Sequence, residues 1–206
     1  MAKLIRYQPG NQRKLGFRKV KPSREDLMEH QGQLNLFDRA PNQYARLRTI
    51  RSRPAGDQSN PFEVALELDD KEDKRAEQYY LEAIDKGISV ADAWCNLGIL
   101  LAKKGETSKS IDAFTKALVI EPRHSESHYN LANMYFDAGN YELAKSHYEI
   151  ALEIDPDFQE ACYNVALSFI ALNKPEEAQK WLKRFLALAG AEDQATARKL
   201  LSLLSD

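Results

Sequence analysis

Laying residues 91–124 over residues 125–158 brings Asn96 onto Asn130, Leu97 onto Leu131, Gly105 onto Gly139, Ala117 onto Ala151, Leu118 onto Leu152 and Pro122 onto Pro156. A gapless period of 34 residues is the strongest constraint in the chain, because a unit that short cannot bury its own apolar face and must stack on its neighbours. A third copy at 159–192 keeps Asn164, Val165 and Ala166 in its first half and Ala178 and Leu182 in its second. Within each copy apolar positions recur at steps of three and four, which predicts two amphipathic helices. Gly105 and Gly139 fall between them, where a left-handed residue ends a first helix. Gly98, Ala132 and Ala166 fall where the paired helices approach most closely, so a larger side chain there would overpack the contact.

The stretch "AWCNLGILLAKKGETSKSIDAFTKALVIEP" supplies Trp94, Leu97, Gly98, Leu101, Ser110, Phe114, Ala117 and Pro122 at repeat positions 4, 7, 8, 11, 20, 24, 27 and 32. The next copy places His128, Leu131, Ala132, Tyr135, Ala144, Tyr148, Ala151 and Pro156 there. This pattern resembles the tetratricopeptide repeat. The resemblance implies an all-α fold, a right-handed superhelical array of helix–turn–helix repeats at 91–124, 125–158 and 159–192. Phe185 and Gly190 depart from the pattern at positions 27 and 32, which leaves the stacking of the last repeat open. Upstream, residues 57–90 fit a degenerate copy, with Asn60 and Pro61 as a helix start and Ala76, Tyr80 and Ala83 at positions 20, 24 and 27. Downstream, Ala197, Leu200, Leu201 and Leu204 form one face of a capping helix in 193–206.

The resemblance also implies a concave groove lined by the first helices, where positions 2, 5, 6, 9, 12 and 13 share one stripe. Positions 2, 5, 6, 9 and 12 hold, in turn, Asp92, Glu126 and Glu160; Cys95, Tyr129 and Tyr163; Asn96, Asn130 and Asn164; Ile99, Asn133 and Leu167; and Ala102, Phe136 and Ile170. Three asparagines in register are similar to the ladder with which some family members hold a peptide backbone. A primary amide both donates and accepts, so it pairs with main chain irrespective of sequence. The alternative is that these asparagines are repeat-consensus residues packed on their neighbours. Chaperone-tail members clamp a terminal carboxylate with lysine and arginine. Here those slots hold Cys95, Glu160 and Asn164, or Pro61, Glu126 and Asn130 one repeat earlier, so the expected ligand is a peptide with basic and apolar residues.

Catalytic and metal-binding constellations are not expected. His124 and His128 straddle the turn between repeats, and His128 and Cys162 fall on core position 4. Cys95 is expected on the groove surface, without the clustered cations that lower a thiol pKa. "LDDKEDK" at 68–74 reads as a solvated acidic turn, lacking the glycine and spacing of a calcium loop. The composition is 43% apolar and 29% charged, with two cysteines and no run near the roughly 18 apolar residues of a membrane span. A reducing, cytoplasmic setting is the expectation.

Residues 1–56 differ from this body. They carry thirteen cations against four anions, +9, whereas the remainder carries sixteen against twenty-seven, −11. Without a sustained apolar period, this basic arm is expected to be mostly disordered, with a short helix over 24–31. Gln33, Leu34, Leu36 and Phe37, within "GQLNLFD", resemble the bacterial sliding-clamp binding peptide. Three destinations stay open for this segment: a clamp in trans, packing on the array, or docking in the chain's own groove. The function expected is non-catalytic peptide binding in the groove. The alternatives are an adaptor for replication or repair whose arm meets a clamp or nucleic acid, and a regulatory subunit of an enzyme.

Overall fold

The computed structural model describes residues 14–21, 60–190 and 194–205. Gln33, Leu34, Leu36 and Phe37, and the short helix expected over 24–31, lie outside the described residues. Among those described there are nine helices and no strand: α1 (Pro61–Asp70), α2 (Ala76–Lys86), α3 (Val90–Lys103), α4 (Thr107–Ile120), α5 (Ser125–Asp137), α6 (Tyr141–Ile154), α7 (Gln159–Ala171), α8 (Pro175–Leu188) and α9 (Gln194–Ser205). They fall into two compact units, one ending at Ser89 and the other joining the segment up to Val20 with everything from Val90 onward. No helix among the described residues is long and apolar enough to cross a membrane.

In the first unit, α1 and α2 pack as a hairpin. Asn60 caps α1 by accepting the Phe62 N–H, and Pro61 opens the first turn, where its missing N–H costs nothing. Ala76, Tyr80 and Ala83 are buried, and the Phe62 and Tyr80 rings lie 6.2 Å apart. Contrary to the expectation of a solvated acidic turn, Asp69 is buried and accepts the Tyr80 hydroxyl at 3.3 Å.

In the second unit α3 packs on α4, α5 on α6 and α7 on α8, and each hairpin stacks on the next through α4 with α5 and α6 with α7. The first helices end alike. Gly105 and Gly139 adopt φ of +78° and +76°, and the N–H of Glu106 reaches back to Leu101 O while that of Asn140 reaches Tyr135 O. The third repeat makes the same turn on Asn173, at φ +57°, with Lys174 N–H on Phe169 O. Asparagine is among the few non-glycine residues that tolerate the left-handed region. Close packing explains Gly98: a Cβ there would meet the Phe114 ring at 2.6 Å. The last repeat stacks despite its departures, because Phe185 is buried against Tyr163 with ring centroids 5.2 Å apart. On α9, Ala197 and Leu200 are buried, with Leu201 and Leu204 against the same core, while Arg198 and Lys199 are exposed.

One part of the arm departs from the expectation of disorder. Residues 14–20 run as extended chain across the first helices of the three repeats, held by groups that no local pattern in the arm encodes.

Candidate functional site

The site is the stripe along α3, α5 and α7 together with the segment seated on it. Asn164, Asn130 and Asn96 each clasp one residue of that segment by both of its main-chain groups. Leu15 N–H donates to Asn164 Oδ1 at 2.8 Å, and Asn164 Nδ2 donates to Leu15 O at 3.0 Å. Arg18 is held by Asn130 at 2.9 Å in both directions. Val20 is held by Asn96 at 2.8 Å in both directions. In extended backbone the N–H and C=O of one residue point to the same side, and a primary amide offers a matching acceptor and donor on one edge. Each asparagine therefore acts as one residue of a partner strand. The segment runs N to C from the third repeat toward the first.

The Gly16 carbonyl, between the first two clasps, is also engaged. Tyr129, at position 5 of the second repeat, donates its hydroxyl toward Leu15 O at 2.9 Å and Gly16 O at 2.7 Å. Asn133 donates to Gly16 O at 3.3 Å, while its Oδ1 accepts from Tyr148 Oη at 2.6 Å and Asn164 Nδ2 at 3.1 Å. Burial pushes the Tyr129 phenol well above its ordinary value, so it stays a hydrogen-bond donor.

Side chains set the register. Lys14 Nζ reaches Asp137 Oδ2 at 3.1 Å. Burial lowers the Lys14 pKa, and the Asp137 charge partly offsets that. Leu15 packs on the cluster of the second and third repeats, and Phe17 and Val20 on that of Cys95, Ile99 and Phe114. The Phe17 ring stacks on Phe114 at 6.2 Å and 28°. The Arg18 guanidinium lies 4.4 Å from the centroid of Phe158 and 3.6 Å from Glu160 Oε2. Phe158 in turn packs against Tyr129, with ring centroids 4.7 Å apart and the planes tilted by 34°.

Ordering seven residues costs roughly 7–14 kcal/mol of backbone entropy. Six asparagine bonds at roughly 1 kcal/mol each and three partly buried apolar side chains at roughly 1–2 kcal/mol each return about 9–12. The Tyr129 and Asn133 bonds to the Gly16 carbonyl, the Lys14–Asp137 pair and the Arg18–Phe158 contact add roughly 3 kcal/mol more, which seats the segment reversibly.

Not every residue of the expected stripe meets the segment. Asp92 turns to His124: the imidazole Nδ1 accepts Ser127 N–H at 3.1 Å, which leaves the proton on Nε2 facing Asp92 Oδ1 at 2.9 Å. Burial alone would lower the His124 pKa, but the Asp92 hydrogen bond and charge outweigh it and the net shift is upward. Glu126 accepts the Ser125 hydroxyl. Leu167 is a core residue, Phe136 packs edge-on against Tyr141, and Tyr163 faces Phe185, while Ile99 is buried within the apolar cluster on which Phe17 and Val20 pack. Cys95 corrects the expectation of an exposed thiol: it is fully buried beneath the ladder, accepts from Asn130 Nδ2 at 3.3 Å, and has its pKa pushed up to about 12 by burial. His128 is packed, donating to Pro122 O at 3.1 Å and meeting His147 Nδ1 at 3.0 Å.

Asp137 stands at position 13 of the expected stripe, although it was not singled out there, whereas Phe114 and Phe158 lie off the stripe. Phe114 occupies a consensus core position on a second helix, and Phe158 is the residue before α7 begins, so neither carries a groove signature in the sequence.

Comparison with known proteins places this geometry. Tetratricopeptide repeat models match residues 91–124, 125–158 and 159–192, so these are three tetratricopeptide repeats. A DnaJ homolog subfamily C member 7 homolog from Schizosaccharomyces pombe is 34% identical over 97 residues, 39% of this chain and 20% of that protein. The chain spans about a fifth or less of the length of the curated relatives it matches. A tetratricopeptide repeat protein from Parabacteroides merdae superposes with a TM-score of 0.61 at 25% identity, covering 70% of this chain and 57% of that one. The first such domain of Spaghetti (RPAP3), bound to the HSP90 peptide SRMEEVD, superposes with a TM-score of 0.52 at 26% identity, covering 56% of this chain and 90% of that one.

Proposed function

We propose that the three repeats form a non-catalytic protein–protein interaction module that grips an extended segment of a partner along Asn96, Asn130 and Asn164. The observation that carries this reading is the two-way clasp of each asparagine on main-chain groups, which any peptide except one with proline at a clasped position presents. The similar Spaghetti domain holding a peptide supports it. The choice of side chains differs from that acidic peptide. Asp137 and Glu160 accept cations, Phe158 offers its face to a guanidinium, and Phe114 offers its face to a ring. The partner segment is therefore basic and apolar.

A tiled peptide library probed with a chain lacking residues 1–20 tests this. Bound peptides should be enriched in Lys or Arg near an aromatic residue, and Asn130→Ala should weaken them about tenfold, the equivalent of one lost main-chain clasp. Retention of the same peptides at equal strength by folded Asn130→Ala would sink the proposal.

A further inference from the structure

We propose that residues 14–20 are a tethered stand-in for the partner, which carries the same pattern and binds by displacing them. This rests on the groove reading above and adds the partner's sequence class and its mode of entry.

The pattern follows from the seat. Position 14 takes a cation to Asp137, position 15 an apolar side chain, position 17 an aromatic ring to Phe114, position 18 an arginine between Glu160 and Phe158, and position 20 an apolar side chain. Position 16 is unrestricted, since a Cβ on Gly16 would meet nothing within 4 Å. Arginine is favoured over lysine at 18, because a planar guanidinium both stacks on a ring and pairs with a carboxylate. The partner segment carries a cation, an apolar residue, an aromatic ring, an Arg and an apolar residue at positions 14, 15, 17, 18 and 20, and runs from the third repeat toward the first.

Displacement follows from saturation. Each ladder asparagine already uses its Oδ1 and its Nδ2 on the seated segment, and Tyr129 is committed to Leu15 and Gly16 carbonyls. A second peptide finds no main-chain partner until the first leaves. A covalently linked segment acts at an effective concentration of roughly millimolar, so against an intrinsic micromolar affinity it weakens an incoming peptide of equal quality by roughly 100- to 1,000-fold. A partner must match the pattern to compete, which makes the resident segment a filter against poorly matched peptides.

The test uses the full chain and a fluorescent peptide with the sequence of residues 12–22, read by anisotropy. Three proteins are compared: the natural chain, Phe17→Ala with Arg18→Glu to unseat the segment, and that double variant with Asn130→Ala added. Far-ultraviolet circular dichroism confirms that each is folded. The double variant should bind the peptide at least about 50-fold more tightly than the natural chain, and Asn130→Ala should remove that gain. A peptide with glutamate at the Arg18 position, and the acidic peptide SRMEEVD, should bind neither protein. Equal, Asn130-dependent binding to the natural chain and the double variant would overturn the stand-in while leaving the groove reading intact. No binding to the double variant would overturn both. Tight binding of SRMEEVD to the double variant would overturn the partner class.

Discussion

The two ends of the groove hold the same segment by different means. Over the third repeat, Asn164 belongs to a buried network with Tyr129, Asn133 and Tyr148, so that two consecutive carbonyls, those of Leu15 and Gly16, receive donors from three side chains. Over the first repeat, Asn96 alone holds Val20, and the grip comes from apolar contact with the cluster of Cys95, Ile99 and Phe114 and from the stacking of Phe17. One end reads main chain, the other reads shape. A network of mutually satisfied polar groups is rigid and costly to break, whereas a single amide above an apolar floor yields with little consequence for the fold.

That contrast is open to attack, and the largest effect is expected at the polar end. Asn164→Ala deprives Asn133 Oδ1 and the Tyr129 hydroxyl of a buried partner and should destabilise the array by about 3 kcal/mol, while Asn96→Ala, whose amide bonds Val20 alone among the described residues, should cost about 1 kcal/mol. Equal losses in urea unfolding would erase the distinction. Next comes Gly98→Ala, which drives a methyl into the Phe114 ring and should cost about 2 kcal/mol by overpacking. Because Phe114 is also the platform for Phe17, the substitution should weaken segment docking as well, seen as loss of Phe17 ring contacts by NMR. Tyr129→Phe should leave the melting temperature within a few degrees of the natural chain and weaken docking about fivefold, the worth of about 1 kcal/mol. Its readout is faster amide hydrogen exchange at Leu15 and Arg18, with Val20 moved least.

The pH dependence sharpens the picture from outside the groove. Burial and the neighbouring His128 hold the His147 pKa down to about 4, so the folded state favours its neutral form. The unfolded chain binds that proton more readily, and stability present above about pH 6.5 is lost as pH falls toward 4. His124 runs the other way: its raised pKa gives stability at low pH that is lost as pH rises through the folded value. His147→Gln should flatten the acid-side loss in a series of melting temperatures. An unchanged slope would show that another group governs it. The smallest effect is expected for Glu160→Gln, since the pair with Arg18 is partly exposed and worth at most about 1 kcal/mol. It should show as a reduced salt dependence of docking.

Much of this was legible because repetition writes itself into sequence. Gly98, Gly105 and Gly139, the small residues at the helix contacts, and the three asparagines in register each stand on a 34-residue period, and each period position maps to one place in a hairpin. The third repeat's use of Asn173 in place of the turn glycine was missed, since two glycines alone did not announce it. In the arm, Gln33, Leu34, Leu36 and Phe37 resemble a known motif, whereas Lys14 to Val20, which the groove holds, carry no apolar period. An extended segment has no internal hydrogen bonds, so it imposes no period on its own residues.

The sequence by itself determined the helical hairpins, their stacking and the row of amides, because local pattern and nearest-neighbour packing suffice for a repeat array. Only the tertiary structure decided what fills the row. Leu15 meets Asn164 across 149 residues and Val20 meets Asn96 across 76. A pairing at such separation depends on where three repeats set their amides in space, on Asp137 and Glu160 lying beside the same track, and on Phe114 and Phe158 turning their faces to it.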